Sequence, residues 1–191
     1  SARAVCNHVR NVPDDILKQV AARGGLVMVN FAPGFIAEDA RLYDEVAWPE
    51  HDRISKLYPD DRARVRTEFA AWQSAHPAPV VTLAQVADHL DHIKGVAGID
   101  HVGIGSDFDG IGRTPVGLED VSKYPALLAE LLRRGWPPAE IRKVAGQNLL
   151  RVLRDAEKVA ARLQRQRPPS DARIEDLDRP TEPVARMERL Q

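Results

Sequence analysis

The run Gly103-Ile104-Gly105-Ser106-Asp107-Phe108-Asp109-Gly110 sets two carboxylates directly behind a short apolar stretch. A carboxylate at the C-terminal end of a buried strand can accept a proton, hold a metal or position an amine. The same residues can also form an Asx-turn that merely ends the strand, and pattern alone leaves both readings open. Other motifs fail. The third glycine of a dinucleotide fingerprint is out of register. Asp107-x-Asp109-Gly110 lacks the further acid and the glycine spacing of an EF-hand.

Three other places carry chemistry-bearing side chains. Arg10 lies just before a helix start, where its guanidinium could grip a carboxylate through two parallel hydrogen bonds; a salt bridge to Asp14 or Asp15 is the simpler expectation. His89 and His92 are three apart, next to Asp88 and Asp91. Such a pair can bind metal. Here it flanks an apolar stripe, so it is expected to face solvent or a neighbouring helix. Cys6 is the single cysteine, which excludes an internal disulfide framework and a cysteine-rich zinc site.

The elements that must position these residues alternate. A helix is expected at 12–24, with Pro13 near its start and Asp14 and Asp15 in its first turn. Leu26–Phe31 reads as a buried strand of the parallel-sheet kind. Residues 36–80 read as an insertion over a functional face, charged, with scattered aromatics and one helix near 59–75. Thr82 and Gln85 form a capping-box pattern for a helix at 83–95, closed by Gly98. His101–Ser106 is the second strand, and helices follow at 124–134, 138–145 and 148–164. The proline-rich, charged stretch 165–191 is expected to be a loose tail. This is β/α alternation, and two strands cannot close a sheet, so residues 1–164 look like one edge of a larger β/α barrel.

Composition narrows the function classes. With 191 residues, 43% hydrophobic, 29% charged and a net charge of -1, the chain is ordinary globular material without a basic stripe for nucleic acid. No apolar run approaches the ~18 residues of a membrane span. The start at Ser1, without Met, suggests processing or a piece of something longer. The compartment stays open between cytoplasm and periplasm or secretion.

Several segments together resemble the renal (membrane) dipeptidase family. They are Arg10–Asp15, Val27–Phe31, Val86–Ile93, Gly103–Gly110, Gly117–Pro125 and Asn148–Val152, in that order. The resemblance runs from Ser1 to about Glu157, the insertion apart. It implies the C-terminal part of a (β/α)8 TIM-type barrel of the metal-dependent hydrolase kind. The family hydrolyses dipeptides with two zinc ions, and its bacterial members carry a longer loop like residues 36–80. By resemblance, Arg10 grips the substrate's terminal carboxylate, and Asp107 handles the amine and the proton traffic. Phe35 lines the substrate pocket where relatives often have tyrosine. The family's zinc ligands align with no residue here, since Ser1-Ala2 matches the end of the stretch that holds the last of them. The expectation is therefore a zinc dipeptidase in the full-length parent, with the missing barrel half, and in some settings a homodimer, completing it. These residues alone would supply substrate-binding and acid/base groups and be inactive. Two alternatives are a non-catalytic carboxylate-binding or assembly module, and a metal hydrolase built on His89 and His92.

Overall fold

The computed structural model describes residues 1–177, and the last part of the expected tail, 178–191, lies outside them. The chain divides into two compact units, Ser1–Leu153 and Arg154–Gln191. The first holds helix α1 (Asp14–Ala22), strand β1 (Val27–Asn30), helices α2 (Pro33–Ile36), α3 (Glu38–Leu57), α4 (Arg62–Ala75) and α5 (Leu83–Ala97), strand β2 (Val102–Ser106), and helices α6 (Tyr124–Arg133) and α7 (Pro138–Arg142). Helix α8 (Asn148–Gln166) begins in the first unit and ends in the second, which also contains the short helix α9 (Ile174–Leu177). No helix among the described residues is long and apolar enough to cross a membrane.

β1 and β2 pair in parallel, Val27 opposite Val102 and Val29 opposite Ile104. The core lies on one face of this pair. Val29, Phe31 and Val102 are buried with Val86, Leu90 and Ile93 of α5, the apolar stripe read from the sequence. α5 packs against both strands, and α1, α2 and α6 pack on α5. Its start is fixed by the Thr82 N–H, which donates to Gln85 Oε1 at 2.9 Å. Two strands alone cannot bury both faces of a parallel sheet. Met28 points the other way and is 37% exposed, so that face is open among the described residues. Gly105 is needed there, because a Cβ on it would lie 3.0 Å from the Met28 Cβ.

The expected irregular stretch before residue 59 is also corrected: α3 is a helix of 20 residues with Pro49 inside it. A proline in a helix interior costs about 3 kcal/mol, which is why it reads as a breaker. Ion pairs within the helix oppose that cost, Arg41 with Glu38 (2.6 Å) on one side of the proline and Arg53 with Glu50 (2.7 Å) on the other. Ala40, Ala47 and Ile54, spaced by seven, bury one face.

His89 likewise departs from expectation. It is fully buried. Its Nδ1 accepts from the Ala2 N–H (3.0 Å) and its Nε2 donates to the Ile36 carbonyl (2.9 Å), which fixes the neutral tautomer. The ring thus ties α5 to the first residues and to the end of α2. The periodicity missed this because the imidazole buries both nitrogens satisfied, as an apolar residue would sit.

Burial pushes the His89 imidazole down from 6.5 to about 4. Between those values the unfolded chain binds a proton that the folded chain refuses. The His89 contribution is therefore fully present above about pH 6.5 and is lost as pH falls toward 4. Urea unfolding between pH 7 and 4.5 should show stability declining by on the order of 2–3 kcal/mol from this residue. In His89→Gln the decline should be clearly shallower; an unchanged slope would assign it to other groups.

Candidate functional site

At the C-terminal ends of the two strands the parallel register slips between Val29 and Asn30, so that Asn30 lies opposite Ser106 and Gly105 is passed over. The bulge turns the chain, and Ser106 (φ 29°) and Asp107 (φ 74°) both take left-handed conformations. Such backbone is uncommon outside glycine and is held by its surroundings. Here the Phe31 N–H donates to the Ser106 carbonyl (2.9 Å), the Tyr124 hydroxyl donates to Ser106 Oγ (2.8 Å), and the Gly110 N–H donates to the Asp107 carbonyl (2.9 Å). A side chain at Gly110 would overlap the Asp107 carboxylate.

This turn delivers Asp107 to Asn30. The Asn30 side-chain nitrogen Nδ2 donates to Asp107 Oδ2 at 2.7 Å, and its Oδ1 accepts from the Ala32 N–H at 2.7 Å. The second bond fixes which way the amide faces, so its donor stays on the carboxylate. Sequence reasoning placed Asn30 in the strand without a role. Its position at the end of one buried strand, matching Asp107 at the end of the other, is the signal that was available.

Arg10 does not pair with Asp14 or Asp15. Asp14 is taken by His92 on α5, at 2.8 Å. The guanidinium instead lies over the Phe35 ring, 4.9 Å from its centroid, and the His8 ring packs on the same Phe35 at 4.3 Å. Buried Asn11 joins the two loops by donating to the carbonyls of Cys6 (2.9 Å) and Phe35 (2.8 Å). Asn11 too was missed, although it adjoins Arg10. Cys6 is buried, and burial raises its thiol to about 11, so it behaves as a small packing residue.

Arg10, Phe35 and Asp107 line one cavity of about 500 Å³. The far wall comes from the stretch read as an insertion: Tyr43, Asp44, Ala47 and Trp48 of α3, and Phe69 and Gln73 of α4. The loop after β2 adds Arg113, which pairs with Asp44 at 2.6 Å and lies over the Tyr43 ring. The cavity thus has a cation at Arg10, a carboxylate at Asp107, and aromatic rings in its lining. That combination suits a small zwitterion with apolar parts.

The described residues do not fit a metal site. No group of three or more His, Cys, Asp or Glu side chains among the described residues is arranged to hold an ion. His89 is engaged at both nitrogens, His92 is held by Asp14, and His101 bonds the Gly25 carbonyl. Asp88 and Asp91 both turn to Arg134, at 2.7 Å each.

Residues 1–167 match the sequence profile of the membrane dipeptidase family, peptidase family M19. Solved structures resemble the chain over most of its length. The dipeptidase AC, a metallopeptidase of family M19, is 30% identical with a TM-score of 0.54, covering 78% of this chain and 33% of its own. The probable dipeptidase PvdM from Pseudomonas aeruginosa is 27% identical with a TM-score of 0.59, covering 79% of this chain and 42% of its own. A metallopeptidase from Rhodobacter sphaeroides, solved with a phosphinate mimic of the dipeptide L-Ala-D-Ala, is 29% identical with a TM-score of 0.54, covering 78% and 32%. The chain therefore spans about a third of the length of the first and last of these proteins.

The Asp44 carboxyl sits above its usual range because burial outweighs the opposing pull of Arg113. A raised carboxyl costs stability as pH climbs through its folded value. Arg113→Ala removes the opposing charge and should raise Asp44 further. The variant should lose about 1 kcal/mol at pH 7 and distinctly less at an acid pH low enough to protonate the carboxyl. Equal losses at both pH values would show that Arg113 acts through packing on Tyr43 instead.

Proposed function

Because the chain belongs to the membrane dipeptidase family, peptidase family M19, we propose that these residues form the substrate-holding side of a dipeptide-hydrolysing site in a β/α-barrel metallopeptidase. The observation that carries the proposal is the meeting of Arg10 and Asp107, 97 positions apart in sequence, on one cavity. A dipeptide has a carboxylate at one end and an ammonium at the other, and the cavity offers each its opposite charge.

In this reading the zinc of the whole enzyme would be held by residues other than those described and would supply Lewis-acid chemistry. What this chain contributes is registration and proton handling. Arg10, flattened on Phe35, takes the terminal carboxylate and limits the substrate to two residues. Asp107 keeps Oδ2 on Asn30 and offers Oδ1 to the substrate amine or to the proton in transit. Hydrolysis adds water across the scissile C–N bond, and the leaving amine must gain a proton. A carboxylate beside that amine can relay it from the attacking water. Fixing both ends of the substrate converts encounter into a positioned reaction. The exposed Met28 face of the sheet is, on this reading, where the remaining strands and helices of the barrel would pack.

The test is kinetic, in the full-length zinc enzyme with dipeptide substrates. Losing a charge-assisted hydrogen bond costs ~1.5–3 kcal/mol. Arg10→Ala should therefore raise KM by roughly tenfold to a hundredfold and weaken discrimination against C-terminally amidated substrates. Asp107→Asn keeps the shape but removes the charge and the proton acceptor, so kcat should fall more than KM rises. If both variants lose thermal stability while the folded fraction keeps near-normal kcat/KM, both residues are structural and the reading fails.

A further inference from the structure

The two helices α3 and α4 carry more aromatic surface than packing between them requires. α4 buries no residue at all. Its Phe69 and Trp72 rings stack in parallel, 5.8 Å apart and 4° from coplanar, and Trp72 stacks in turn on His76 at 4.5 Å. Tyr43 of α3 meets Trp72 at 6.0 Å. His51 stands edge-on to both Trp48 (6.2 Å) and Phe69 (5.0 Å), so it braces those two rings against each other. Trp48 is nevertheless 64% exposed. A large ring held by neighbours but left uncovered on the wall of a cavity is a surface prepared for an apolar partner.

The position of that surface picks out one end of the substrate. A smaller neighbouring cavity of about 320 Å³ shares His8, Phe35, Asp44 and Trp48 with the main one, and neither Arg10 nor Asp107 lines it. Trp48 is thus grouped with Phe35 in both cavities, and Phe35 is the ring that carries the Arg10 guanidinium. A substrate residue whose carboxylate is on Arg10 would direct its side chain at Trp48 and Phe69. The acids beside the wall are already paired, Asp44 with Arg113 and Glu45 with Arg41, so neither is left to draw a basic side chain.

We infer that Trp48 and Phe69 form a specificity wall that selects dipeptides with an aromatic or large apolar C-terminal residue. This rests on the dipeptidase reading above and adds to it the side chain that the site prefers. Burying a benzyl group where a methyl would leave the wall wet favours the larger substrate through the apolar area removed from water.

The experiment compares kcat/KM of the full-length enzyme for Ala-Phe, Ala-Ala and Phe-Ala, each with the L and the D form of the C-terminal residue. Ala-Phe should exceed Ala-Ala by roughly tenfold or more in the better stereoisomer. Trp48→Ala and Phe69→Ala should each cut that ratio about fivefold or more, lowering kcat/KM for Ala-Phe further than for Ala-Ala or Phe-Ala, and Trp48→Phe should retain most of it. An equal fall for all three substrates would reduce the rings to cement between helices and overturn the inference. So would a loss confined to Phe-Ala, which would place the wall at the other end. If no dipeptide is turned over, the dipeptidase reading fails first. Calorimetric titration with Ala-Phe and Ala-Ala then decides the wall by itself: tighter Ala-Phe binding that Trp48→Ala abolishes upholds it, and equal binding overturns it.

Discussion

The parallel pairing of Val27–Asn30 with Val102–Ser106, and the one-residue slip at its end, set the position of everything else at the site. A regular ladder would carry Gly105 opposite Asn30 and keep the strand running. The slip advances Ser106 by one and lets the chain turn through two left-handed residues. Asp107 is thereby thrown against the Asn30 amide rather than along the strand axis. Gly105 and Gly110 are the residues that make this geometry available, one for Met28 and one for the Asp107 carboxylate. The strain of the turn is offset by hydrogen bonds from Phe31, Tyr124 and Gly110, so the carboxylate is presented on a rigid support.

The opposite ends of the strands are tied down by a separate set of contacts. His101 bonds the Gly25 carbonyl, Asn148 donates to the carbonyls of Ile99 and Val102, and Arg151 donates to those of Gly24 and Asp100. These satisfy backbone acceptors that the strand starts would leave orphaned. The arrangement resembles that of a β/α barrel, with backbone ties at one end of the strands and the cavity at the other. It accounts for His101, a titratable residue that has no place near Asp107.

Membership of the membrane dipeptidase family fits this arrangement. The residues that surround the cavity are suited to gripping a small zwitterion by its charges and its side chain. The α3–α4 pair lines the cavity and reaches the core through Ala40. It is a helical wall rather than an irregular cover, and its aromatic residues meet one another and the cavity.

The local code carried much of the fold. Alternating helices and strands, the stripe Val86, Leu90, Ile93, and the turn after Ser106 were all legible, because they depend on periodicity and on glycine and aspartate at short range. Arg10 and Asp107 could be singled out as side chains beside element ends, and Phe35 only by resemblance. What no local pattern could decide is which of these long-range neighbours each side chain meets. Asp14 is taken by His92, which leaves Arg10 for Phe35; His89 turns inward to Ala2 and Ile36; Asn30 finds Asp107 across 77 positions. Helix α3 passes through Pro49 because burial of Ala40, Ala47 and Ile54 outweighs the local penalty. Tertiary contact decided these points for one physical reason: hydrogen-bond and burial energies between distant residues exceed the fractions of a kcal/mol by which local propensities differ.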